Sequence, residues 1–125
     1  MKPALRHVLK LFLSALIIGF LEGMFVKIQQ DSINSQVTAV QKDKPSYRAF
    51  PLYASVVLEI LGFYYFIVLQ KRSTAEAAFF GFLIYGIFAL VNYGIFSHWS
   101  LTWTIKEIIW GPVLFGTAAA LLKMV

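Results

Sequence analysis

Four long apolar runs constrain this chain more than anything else in it: residues 9–28, 50–69, 75–96 and 101–122. Each approaches the ~20 residues with which an α-helix crosses ~30 Å of hydrocarbon. Lipid cannot satisfy backbone N–H and C=O groups, and the chain lacks the many short alternating segments of a barrel, so each run is expected to be helical. The expected fold is all-α: a four-helix transmembrane bundle, antiparallel and up-down, in one integral membrane domain covering residues 1–125. Composition agrees, with 59% hydrophobic and 14% charged residues against roughly 45–50% and 25% in an average soluble domain. A soluble domain of this length buries only about two-thirds of its chain surface and would leave large apolar patches in water.

The absence of cysteine excludes disulfides, thiolate catalysis and Cys-based zinc sites. The net charge of +5 comes from Lys and Arg at the ends of the apolar runs, so anionic lipid headgroups are the expected partner and nucleic acid is not. Lys2, Arg6 and Lys10 ahead of an apolar stretch also resemble the start of a secretory signal. Glu22 and the lack of a small-residue cleavage pattern favour a first membrane span instead.

Short connections at 70–74 and 97–100 predict tight helical turns, with Ser73 or Thr74 capping the third span ahead of Glu76. The long polar segment, 29–49, carries Ile33, Val37 and Val40 at helical spacing and no Pro or Gly before Pro45. It reads as an extension of the first helix beyond the membrane, ending before Lys44 and Pro45, with the apolar stripe as a candidate partner contact. The side bearing this segment is called outer below. With the N-terminus inside, the inner face collects six basic residues (Lys2, Arg6, Lys10, Lys71, Arg72, Lys123) and the outer face five (Lys27, Lys42, Lys44, Arg48, Lys106). The count narrowly favours both termini on the cytoplasmic side.

Glu22, Glu59 and Glu107 fall inside or near the apolar runs, where a carboxylate is costly. At ~1.5 Å per residue, Glu22 and Glu107 lie about 9 Å from the outer ends of their helices, Asn92 about 6 Å and Glu59 about 14 Å. All four are expected to share one polar cluster in the outer half of the bilayer. Such a cluster either binds a proton or cation or holds the helices together by hydrogen bonds. No metal site is expected, because His7 and His98 lie in different segments and no HxxxH or ExxH pair occurs. No cofactor is expected either.

Small residues mark where helices can approach closely: Ala15, Gly19 and Gly23 on the first span, Ala77 and Gly81 on the third, and Gly111, Gly116 and Ala120 on the fourth. Pro112 removes a backbone donor from the fourth span, and a kink is expected near residues 108–112.

The last two spans read Phe80-Gly81, Tyr85-Gly86, Leu90-Val91-Asn92, Trp99-Ser100-Leu101, Thr104 and Glu107-Ile108-Ile109-Trp110-Gly111. This pattern resembles the family known as domain of unknown function 2177 (DUF2177), small membrane proteins of four spans. Glu22 falls where that family carries an acidic residue in its first span. Where the family usually has Asp just before its Leu-Thr-Asn stretch, this chain has Ala89. The resemblance implies a fold and no established activity. It extends to proteins of bacteria, algae and large DNA viruses. For a viral member it implies a virion component in the membrane beneath the capsid, with residues 29–49 touching the protein layer.

Taken together, the sequence points to a non-enzymatic multipass component that packs against other membrane or membrane-apposed proteins, as an oligomer or a member of a complex. Ser14 and Ser55 have no neighbouring His to activate them, and His98 lies in a turn. The alternative is a small proton- or cation-conducting subunit that uses the intramembrane carboxylates.

Overall fold

The computed structural model describes residues 2–125 as helices and short connections, with no strand among the described residues. In order these are α1 (Pro3–Ile28), α2 (Gln30–Gln41), α3 (Ala49–Phe63, continued by a π-helical turn, Tyr64–Val68), α4 (Thr74–Ile95) and α5 (Leu101–Lys123). Four helical stretches are long and apolar enough to cross a bilayer: Pro3–Ile28, Ala49–Val68, Thr74–Ile95 and Leu101–Lys123.

Apolar side chains occupy both the inside and the outside of the bundle. Ile18, Phe63, Ala77, Leu114, Phe115 and Ala118 are buried together, while Phe20, Phe50, Leu58, Phe79 and Ile87 project outward. An exterior this apolar suits hydrocarbon. Without a hydrophobic drive between helices, close backbone packing has to supply cohesion. The tightest approach joins α4 to α5, where a Cβ added to Gly81 would lie 2.1 Å from the Gly111 carbonyl oxygen, and one added to Gly111 2.2 Å from that of Gly81. Gly116 extends this contact, its added Cβ meeting that of Ala78 at 3.3 Å. Phe115, packed in the same seam, meets Phe63 of α3 and Phe80 of α4 at ring separations of 5.2 and 5.7 Å.

The helix ends follow the chemistry of their sequences. Ser73 and Glu76 form a reciprocal capping box at the start of α4, and the Ser100 hydroxyl accepts from the Trp103 N–H at the start of α5. At the end of α3 the Leu69 N–H donates to the Tyr64 carbonyl and the Arg72 N–H to that of Ile67, one residue wider than α-helical spacing. The sequence contains no signal for this widening. Helix α5 continues through Pro112 as one helix, although the proline leaves the Ile108 carbonyl without its usual donor.

The polar extension is helical as expected, but Gln29 divides it from α1 with a backbone of φ −96° and ψ 13°. Its bonds show why. Gln29 accepts from Lys106 Nζ at 3.1 Å, while Gln36, buried on α2, donates to the His98 carbonyl at 2.9 Å and accepts from the Ser100 N–H at 2.8 Å. The chain therefore bends back over the α4–α5 turn. Ile33, Val37 and Val40, on the same side of α2 as Gln36 by helical spacing, are each half-buried.

At the opposite end of the bundle, Lys10, Lys71, Arg72 and Lys123 line one cleft, so the start of α1 and the end of α5 share that end.

Gly81→Ala and Gly111→Ala should each cost about 1–3 kcal/mol through overpacking, whereas Gly62→Ala, whose Cβ would meet nothing within 4 Å, should be neutral. Thermal unfolding in detergent checks this, and three equal midpoints would rule out the close α4–α5 approach. Gln36→Ala should remove the clasp on the turn and speed hydrogen exchange at the Ser100 amide; unchanged exchange would mean that α2 does not dock there.

Candidate functional site

Three transmembrane helices bring their polar groups to one tyrosine. The Tyr85 hydroxyl on α4 donates to Glu22 Oε1 of α1 and also lies within hydrogen-bonding distance of Glu59 Oε1 of α3. A hydroxyl carries a single proton, so it donates to one carboxyl and accepts from the other when that carboxyl is protonated. Glu22 receives a further, longer bond from Trp110 Nε1 on α5 at 3.4 Å. Glu107 is buried, with 8% of its surface exposed, and its Oε1 has no hydrogen-bond partner. It precedes Trp110, the donor to Glu22, by three residues on one face of α5.

Local sequence explains how these side chains meet. Gly111 lets α5 press against α4 beside Tyr85, whose Cβ lies 2.7 Å from where a Gly111 Cβ would be. Glu107 and Gly111 are one turn apart on α5 and share a face. On α1, Ile18 is buried and Glu22 and Phe25 follow at helical spacing, which turns all three inward. Phe25 stacks on Trp110 at 4.4 Å and on Trp103 at 6.0 Å. This aromatic column runs from Trp110, at the carboxyl cluster, to Trp103, which lines a polar outer cleft of about 390 Å³ with Asp31, Gln36, His98 and Lys106. Lys106, the basic neighbour of Glu107 in sequence, is engaged by Gln29.

The structure therefore brings Glu22 and Glu59 together at Tyr85 and buries Glu107 on the face of α5 that carries Trp110. Asn92 is half-buried, and among the described residues no hydrogen bond joins its side chain to the three carboxyls. Its shallower depth, nearly two turns outward of Tyr85 on α4, accounts for the separation. Tyr85, the hub, stands in the family-like pattern, but no charge or motif in the sequence marks it as a site residue. The available signal was depth: about 15 Å from the outer end of α4, against about 14 Å for Glu59 on α3.

The small-residue positions divide in the same way. Gly81, Gly111 and Gly116 pack within the chain, whereas a Cβ added to Gly19 or Gly23 of α1 would meet nothing within 4 Å. The Ala15–Gly19–Gly23 track therefore has no close helix neighbour at its two glycines in a single chain.

Tyr85→Phe should leave the two carboxyls without their shared hydroxyl and cost about 1–3 kcal/mol. Glu22→Gln should cost less, because the amide oxygen still accepts from Tyr85 and Trp110. Unfolding midpoints in detergent decide the point, and an unperturbed Tyr85→Phe protein would show that the hydroxyl is not the carboxyls' partner.

Comparison with known families finds one match, to the family described as predicted membrane protein (DUF2177), over residues 7–124. Neither the curated proteins nor the solved structures contain a match to the chain. The matched region takes in the first membrane helix from His7 onward, the other three whole and every residue of the carboxyl–tyrosine cluster, and the chain belongs to the DUF2177 family of membrane proteins.

Proposed function

We propose that the protein is a non-enzymatic multipass membrane component that works by packing against other proteins in or at its membrane. The observation that carries this reading is the open glycine track on α1. Small residues in a membrane helix permit a close backbone approach. The chain uses that device internally between α4 and α5 and leaves it unused at Gly19 and Gly23. A helix of a second copy, or of another membrane protein, completes the approach.

The possible nucleophiles support a role without catalysis. The Ser14 hydroxyl donates to the Lys10 carbonyl and the Ser55 hydroxyl to that of Leu52, both at 2.7 Å. His7 meets Tyr64 at the inner end, far in sequence and in the bundle from the outer turn that holds His98. In this reading the basic end faces the cytoplasm, and residues 29–49 face whatever layer adjoins the other surface. In a viral member that layer is the capsid.

A second reading, a small proton- or cation-conducting subunit, draws on the convergence of Glu22 and Glu59 at Tyr85. The stacked rings of Trp110, Phe25 and Trp103, running outward from the cluster, count against a continuous water-filled path.

Gly19→Leu with Gly23→Leu should leave the folded chain intact, since both positions open onto empty space, and should abolish its association in bilayers. Single-molecule subunit counting together with co-purification from native membranes tests this. A wild-type protein that is monomeric and unpartnered, or association unchanged in the double variant, would overturn the reading.

A further inference from the structure

Outward of the contact between Phe63 and Phe115, α3 and α4 part and leave a groove of about 420 Å³, within the ~300–1,000 Å³ typical of small-molecule sites. Its walls are apolar, formed by Leu58, Ile84 and Phe88, and Gly62 keeps the inner part open, since nothing lies within 4 Å of its added Cβ. Glu59 and Tyr85 also line it, so the groove joins lipid-facing walls to the carboxyl cluster.

No Lys, Arg or His among the described residues bonds to the cluster. Among the described residues the single ion pair of the chain is Arg72–Glu76, at the inner end, and Lys106 is taken by Gln29. Glu107, outside the groove lining, is buried on α5 with an unpartnered oxygen. No three acidic or His side chains among the described residues are grouped closely enough to hold a metal ion. Unpaired carboxyls behind apolar walls complement an organic cation with a hydrophobic body.

We propose that the groove between α3 and α4 binds a lipophilic monocation from the membrane, with its apolar body against Leu58, Ile84 and Phe88 and its charge at Glu59 and Tyr85. Glu22, Glu59, Glu107 and Tyr85 are the titratable groups contributed by the four helices around the site. The carboxyl that carries the bridging proton at Tyr85 gives it up when the cation arrives. One positive charge enters as one proton leaves, and no net charge is added to the low-dielectric interior. Binding at equilibrium does not require ion passage, so this site is independent of the conducting reading, and loss of flux and loss of binding are separate results.

The test is equilibrium binding to the full chain in lipid nanodiscs with three probes: octylamine, tetraphenylphosphonium and 1-octanol as the uncharged control. Both cations should bind saturably at one site per chain and release about one proton each into weakly buffered solution, while octanol does neither. Glu59→Gln should weaken cation binding at least about tenfold. Gly62→Phe, which fills the groove and keeps every carboxyl, should do the same, and it guards against a Glu59→Gln protein that fails to fold. Absence of saturable binding by either cation would overturn the proposal. So would octanol binding as tightly as octylamine, or cation binding that a folded Gly62→Phe protein retains.

Discussion

Inside hydrocarbon, a polar group has only the protein itself to bond with. That constraint organises this structure. Backbone groups are satisfied within helices save where Pro112 removes a donor, and the three intramembrane carboxyls are turned inward from α1, α3 and α5. Of these, Glu22 and Glu59 share the Tyr85 hydroxyl, and Glu107 remains buried with an unpartnered oxygen. The helices around them differ in how firmly they are held. The α4–α5 pair is in backbone contact through Gly81 and Gly111, while α3 meets the bundle through Phe63 and Ile67 near its inner end and exposes Phe50, Tyr53 and Leu58 toward its outer end.

The position of the cluster follows from that difference. Tyr85 projects from the close-packed α4–α5 pair, immediately beside Gly111, and its hydroxyl reaches across to α1 and α3. The bond to Glu59 is formed where α3 leaves the bundle, which is also where the lateral groove opens. The outer surface is closed separately, by α2 bending over the α4–α5 turn and holding it through Gln36. Packing of backbone, satisfaction of carboxyls and closure of the outer end are thus three different devices on one small chain.

Much of this was legible from residues alone. Run length and composition give the four spans because helix geometry and bilayer thickness leave little freedom. The Ser73–Glu76 cap follows from a local reciprocal bond that needs no tertiary information. Depth counting places Glu22 and Glu59 at compatible levels. It overreaches with Asn92, which shares the face of Tyr85 by helical spacing but lies seven residues, about 10 Å, further out. The break at Gln29 was not legible, since its cause is a set of bonds to Lys106, His98 and Ser100, at least 62 residues away from their partners on the polar segment. The same holds for the glycines. Sequence marks both small tracks alike, and only the fold distinguishes Gly81 and Gly111, which are in contact, from Gly19 and Gly23, which are not.

The account depends on the side chains at 22 and 59 converging within the membrane, and the absence of cysteine makes a direct measurement practical. Glu22→Cys and Glu59→Cys introduced together, in lipid bilayers, should be joined within one chain by a short thiol-specific crosslinker that spans the tyrosine hydroxyl. A control pair at Phe20 and Leu58, both projecting outward, should not be joined within a chain. Efficient linkage of the control with none between positions 22 and 59 would contradict the bundle described here.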